Sequence, residues 1–213
     1  MVIATDGMEC RERGVVPHSR GRPGWLHVGA LEIRLTRAWR PGTFPPSESL
    51  LAVMTLAAVP RPLGARLAGH LSGGLVVGPG AVPDLPGFEK LREVPLPLQE
   101  GTWERSAGVY DPALRRIGVG SVPSPSASVC GHELGHAVDD LDGRPSASRW
   151  WLLLHASCRR HLAPPYRQEV AELFAESFAC VLTRRAGRLI RLLGDEHAAQ
   201  QVYQWMAATY GMR

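Results

Sequence analysis

The sequence predicts an α+β fold, a small mixed sheet with a helix that bears the candidate chemistry, followed by a helical C-terminal half. Three observations predict it. Segments with strand character lie mostly in the first part of the chain, at 27–38, 73–83 and 115–120. Helical periodicity then dominates from 126 onward, at 126–141, 166–185 and 195–210. Hydrophobic residues make up 45% of 213, enough for a full core without disulfides.

In order, residues 1–24 are polar, glycine-containing and without periodicity, which predicts a poorly ordered arm ahead of one domain over 25–213. Residues 27–38 alternate apolar and polar side chains and predict a strand or hairpin arm. A proline-rich loop follows at 40–47, where Ser47 is placed to cap the next helix. That helix is expected over 50–59, ended by Pro60, and a second over 63–71. Residues 73–83 read as a short buried strand bounded by glycine and proline turns. A loop is expected through 84–88, then past Trp103 and through 108–111. The strand at 115–120 puts Ile117 and Val119 on one face. Beyond Pro123 and Pro125 a helix over 126–141 is stopped by Gly143; Ser146 is expected to cap another, reaching Leu162.

Composition narrows the function. The net charge is +4 and the pI about 9.2, yet arginine is dispersed and Lys90 is the single lysine, so a nucleic-acid surface is not expected. Arg159-Arg160 and Arg184-Arg185 read as exposed helix positions. The longest apolar runs, 50–59 and 150–154, fall far short of the roughly 20 residues that span a bilayer. The amino terminus shows no apolar core of a signal peptide. Four cysteines lack C-x-x-C spacing, and Cys130, Cys158 and Cys180 are expected as small core residues.

The chemistry concentrates in two segments. His132-Glu133-Leu134-Gly135-His136 sets two imidazoles one helical turn apart on one face, where they can hold Zn²⁺ at roughly 2.0–2.1 Å. Glu133 between them can reach a water on the open side of the metal as general base. In the second segment Glu169, Glu172 and Glu176 recur at three and four on one helix face, and such a trio repels itself unless a cation or donors neutralise it. A His₂Glu set leaves a fourth position for water, the catalytic form of a zinc site. A third ligand six residues after His136 would be Asp142, but the glycine that lets the chain turn there is absent. Cys130, two residues before His132, diverges from it around the helix and is a poor ligand.

Together, HELGHAVDDLDG and EVAELFAESFA resemble the metallopeptidase domain of anthrax lethal factor and its relatives, the Pro-Pro endopeptidases. The resemblance spans roughly 50–210, through LPGFEKL, GTW and VYDPALRRIGVG, and is strongest over 128–142 and 168–180. It implies a zincin-like metallopeptidase domain with His132, His136 and Glu172 as zinc ligands and Glu133 as general base. It also implies that Glu176 orients a ligating histidine. The family carries an oxyanion-binding tyrosine seven residues before its glutamate ligand, where this chain has Pro165; Tyr166 is the nearest counterpart. Trp103 is either a flat wall for a substrate proline or a core tryptophan. Asp139 or its neighbour Asp140 is expected beside a histidine ligand, and His155, His161 and His197 as surface or packing residues. The implied function is a zinc-dependent endopeptidase, monomeric, acting on a protein or peptide substrate that contains proline. The substrate is expected along the 115–120 strand by strand addition. The alternative is a zinc-binding domain that serves in protein interaction without catalysis, and a third reading takes the motif as accidental. Secretion is implied by the resemblance alone.

Overall fold

A computed structural model describes residues 25–94 and 102–212; the arm expected over 1–24, with Cys10, lies outside them. Among the described residues four short strands form one sheet: β1 (Leu35–Arg37), β2 (Gly74–Val77), β3 (Gly108–Asp111) and β4 (Arg116–Val119). Their order is β1-β2-β4-β3, with β1, β2 and β4 parallel and β3 antiparallel along the edge of β4. The segment expected as a strand over 27–38 is mostly a 3-10 helix, Gly29–Arg34, and only its last residues pair as β1. Leu31 is fully buried in that turn and fills the core as a strand residue would, so alternation alone did not separate the two. Conversely, 108–111 is a strand rather than loop, because β4 supplies a partner that local sequence cannot show.

Both faces of the sheet are covered, as parallel strands require. Leu75, Val77, Ile117 and Val119 point into the main core beneath the helices. On the other face Val82, Leu85 and Phe88 form a small second core, with Phe88 against Gly118 and under the Arg116 guanidinium at 4.3 Å.

Helices α1 (Ser47–Ala57) and α2 (Arg61–His70) sit near their expected places. Ser47 is not the cap: Pro46 holds that position and the Ser47 hydroxyl bonds Glu48 instead. Taken as one bent pair, α1 and α2 have the length and composition of a membrane span, but they turn by 110°, and among the described residues no single helix is long and apolar enough to cross.

Helix α3 (Val129–Leu141) begins where the Ser128 hydroxyl accepts from the Gly131 amide at 3.1 Å. Helix α4 (Arg149–Cys158) is capped by Ser148, not Ser146, whose amide and hydroxyl both bond Asp139. The long glutamate helix expected over 166–185 is two helices, α5 (Pro164–Gln168) and α6 (Val170–Leu182), and a further helix, α7 (Ala186–Leu193), follows beyond it. Glu169 is extended between the first two, with φ −122° and ψ 114°. The break is stabilised from α4: His155 Nε2 donates to the Tyr166 carbonyl at 2.9 Å, a carbonyl that a continuous helix would give to residue 170. Such a break lies in tertiary contacts, so helix-forming residues on both sides conceal it in the sequence. Helix α8 (Glu196–Tyr210) closes the chain, capped by Asp195 through the Ala198 amide at 2.8 Å.

Helix α6 is the spine of the helical half: all ten residues from Leu173 to Leu182 are buried. Trp151 of α4 lies fully buried on it, edge-on to Phe174 at 5.1 Å, and Phe178 meets Tyr210 of α8 at 5.6 Å. Cys130, Cys158 and Cys180 are free and buried on α3, α4 and α6, as expected of core thiols. Where α3 crosses α6, Gly135 lies against the backbone of Ala175; a Cβ there would fall 2.7 Å from the Ala175 Cα.

Candidate metal centre and active site

That crossing brings three side chains to one point. His132 and His136 leave α3 one turn apart with their Nε2 atoms 3.1 Å from each other. Glu172, in the first turn of α6, places Oε2 3.1 Å from His132 Nε2 and Oε1 3.3 Å from His136 Nε2. One donor atom from each of the three lies within 4.8 Å of the others. Two imidazole nitrogens and a carboxylate converging in this way fit a divalent cation with an open coordination position. The trio of glutamates reduces to a pair, since Glu169 is the exposed residue of the break and only Glu172 and Glu176 share the face.

Glu176 is 1% exposed and receives four donors. The Ser126 hydroxyl bonds it at 2.6 Å, the Ala127 amide at 2.7 Å, His132 Nδ1 at 3.2 Å and the Arg188 guanidinium at 3.3 Å. With Nδ1–H donated to Glu176, the ring is held so that Nε2 points toward Glu172 and His136. Burial alone would raise the Glu176 pKa, but the bonds from His132, Ser126 and Ala127 hold it below the usual carboxylate range. Burial likewise opposes charge on His132, yet its bonds to Glu172 and Glu176 outweigh that and push it up to about 10. Glu172 shows the counterpart: burial raises it, and the two histidines hold it well below the ordinary range.

Glu133 is 8% exposed, packed between α3 and the outer edge of β3. Burial raises its pKa, with the fields of His132 and His136 opposing. It touches the site as a neighbour of both histidines rather than as a third donor.

The other sequence-predicted residues are dispersed. Tyr166 is half-buried on α5, close enough to Glu176, Arg188 and Glu172 to feel their charges, and burial raises its phenol pKa well above normal. With an extended residue between α5 and α6, its count of six residues before Glu172 no longer describes a helical offset. Trp103 is half-buried in the turn leading to β3, and its indole N–H has no partner among the described residues. Asp139 does not reach a histidine ligand; it binds the Ser146 amide at 2.8 Å and hydroxyl at 2.6 Å, and so secures the turn after α3. Asp140 faces Tyr110 and His70 instead. Asp142 pairs with Arg66 at the end of α3, away from the cluster. Cys130 is buried at 1% exposure, and burial pushes its thiol pKa far up.

Sequence reasoning missed Ser126, Ala127 and Arg188, which hold Glu176. Ser126 lies six residues before His132 and Arg188 on the unpredicted α7, so neither spacing carries a signal. It also placed substrate along the 115–120 strand, but β4 is paired on both sides and cannot accept another strand. The edge strand next to Glu133 is β3.

No protein-family model matches the chain, and no curated protein does. Among solved structures, the Pro-Pro endopeptidase PPEP-2 from Paenibacillus alvei shares the fold, with a TM-score of 0.67. The match covers 85% of this chain and 100% of that one at 20% sequence identity, a likeness of fold.

Proposed function

We propose that the protein is a zinc-dependent endopeptidase with His132, His136 and Glu172 as metal ligands and Glu133 as general base. The observation that carries this is the convergence of those three donors within 4.8 Å, with a buried glutamate beside them that the donor set does not use. A structural zinc site has no need of that fourth group. The Pro-Pro endopeptidase fold supports a peptide substrate, one containing proline.

Zinc held by the three donors would acidify a water and polarise the scissile carbonyl. Glu133 takes the proton of the attacking water and returns it to the departing amine. Its burial beside the donor set keeps the carboxylate away from bulk water. Tyr166 donates its phenol proton in a hydrogen bond to the oxyanion, for which a raised pKa keeps it protonated. Glu176 holds His132 in its tautomer, and Trp103 offers a flat wall to the substrate. The substrate lies beside β3, the edge strand next to Glu133.

The test is incubation of the purified protein with a proline-containing peptide library, with zinc content measured in the same sample. Cleavage that a chelator removes and zinc restores supports the proposal. One zinc per chain with no cleavage of any peptide favours the non-catalytic domain, and a protein that ignores added zinc overturns both.

Zinc uptake also has a proton signature. In the metal-free protein the bonds to Glu172 and Glu176 favour the protonated form of His132, and the two histidines favour the ionised form of Glu172. A ligating imidazole must be neutral, so binding at pH 7 should release about one proton per zinc. Calorimetry in buffers of different ionisation enthalpy reads this number directly, and a release near zero would show His132 to be neutral beforehand.

A further inference from the structure

The register of the sheet makes β3 more than an edge. The Gly120 amide bonds the Ala107 carbonyl at 2.7 Å, so in the antiparallel pair of β3 with β4, residues 107 and 109 face β4. Gly108 and Tyr110 stand opposite Val119 and Ile117 in the alternate, non-bonded positions. Their amides and carbonyls therefore point away from β4, out of the edge of the sheet.

Two observations show how close Glu133 comes. A Cβ on Gly108 would fall 2.5 Å from Glu133 Oε1 and 2.9 Å from its Cγ. The φ of Gly108 is not positive, so this glycine is required by the approach of the carboxylate rather than by its own backbone. Next, the backbone of Tyr110 comes close enough to the carboxylate to offset part of the pKa rise that burial causes.

The Tyr110 side chain fastens the same strand elsewhere. Its hydroxyl donates to Asp140 Oδ2 at 2.7 Å. Having given its one proton there, it accepts from His70 Nε2 at 2.9 Å, and that nitrogen also lies 3.2 Å from Asp140 Oδ2. Asp140 is two helical turns beyond Glu133 on α3, so both lie on one stripe of the helix. Strand β3 thus meets that stripe twice, with Gly108 at Glu133 and the Tyr110 hydroxyl at Asp140.

We propose that Tyr110 is the positioning residue for Glu133, its amide holding the carboxylate in the space left by Gly108 and its hydroxyl locking strand register to α3 through Asp140 and His70. The kinetic consequence rests on the peptidase reading; the structural one does not. A flexible glutamate has three side-chain torsions, and a base fixed at the strand edge needs no rearrangement before it takes a proton.

The experiment has two arms, so that failure of this inference and of the peptidase reading are distinguishable. Amide hydrogen exchange by NMR needs no turnover. The Tyr110 amide should be protected in the unaltered protein, keep that protection in Glu133→Gln, and lose at least about tenfold in Glu133→Ala, while Gly108 on the same edge does not change. Equal Tyr110 exchange in all three proteins overturns the contact. In the kinetic arm Tyr110→Phe and Asp140→Ala should each lower kcat about tenfold with KM nearly constant, and Asp140→Asn, which keeps an acceptor oxygen, should restore most of it. Full kcat in Tyr110→Phe with zinc content unchanged overturns the side-chain lock. A protein that cleaves nothing but shows the exchange pattern leaves the positioning of Glu133 supported and removes the peptidase reading.

Discussion

Glu133→Ala is expected to lower peptide hydrolysis by on the order of 10³-fold while the protein still binds one zinc per chain. The two effects separate because Glu133 is adjacent to the donor set without belonging to it: the three converging donors are His132, His136 and Glu172. Its removal leaves Glu176 bonded to His132 and so preserves the orientation of that ring. It also removes a buried carboxylate that burial disfavours, so the folded protein should be no less stable. Zinc determination, kcat and thermal midpoint on one preparation check all three statements. Wild-type turnover in this variant would remove Glu133 from the mechanism; loss of zinc along with activity would make it a ligand.

Gly135→Ala should be the most damaging single-methyl change at the crossing of α3 and α6. Its Cβ would meet the Ala175 Cα at 2.7 Å and the Ala175 carbonyl oxygen at 2.9 Å, and neither backbone atom can rotate away as a side chain would. The helices must separate, at a cost near the upper end of overpacking, about 3 kcal/mol. For a domain of this size that lowers the midpoint by roughly 6–12 °C. Because α3 carries both histidines and α6 the glutamate, the same separation should weaken zinc binding. Gly131→Ala, one turn earlier, meets Ala179 at 3.1 Å and should cost less on both measures. Thermal melts with and without zinc decide the order; equal midpoints for Gly135→Ala and the parent would show that the crossing is looser than it looks.

The parts of the protein that were legible in the sequence share one property, which is that their signal is local. His132 and His136 share a face by helix geometry alone, and Glu172 and Glu176 do likewise. Core thiols are read in the same way, whereas the caps expected at Ser47 and Ser146 fall to Pro46 and Ser148. The rest depends on partners distant in the chain. Glu169 breaks the helix because His155 takes the Tyr166 carbonyl, and 108–111 is a strand because 116–119 lies beside it. Asp139 was expected beside a histidine on helix spacing, yet Ser146, beyond a left-handed Arg144, takes both its oxygens. Arg188 illustrates the limit: a surface-periodic arginine on a short helix gives no sign that it reaches Glu176.

The three core thiols also make the molecule its own clock. Cys130, Cys158 and Cys180 sit on three different helices, and burial raises each thiol pKa, Cys180 to about 12. A buried, protonated sulfur is a poor nucleophile, so an alkylating reagent reacts only when the helix around it opens. In a Cys10→Ser background, the labelling rate at each sulfur times the opening of α3, α4 and α6 separately. One shared rate would mean that the helical half opens as a unit, and three rates would rank its helices by how long each stays closed.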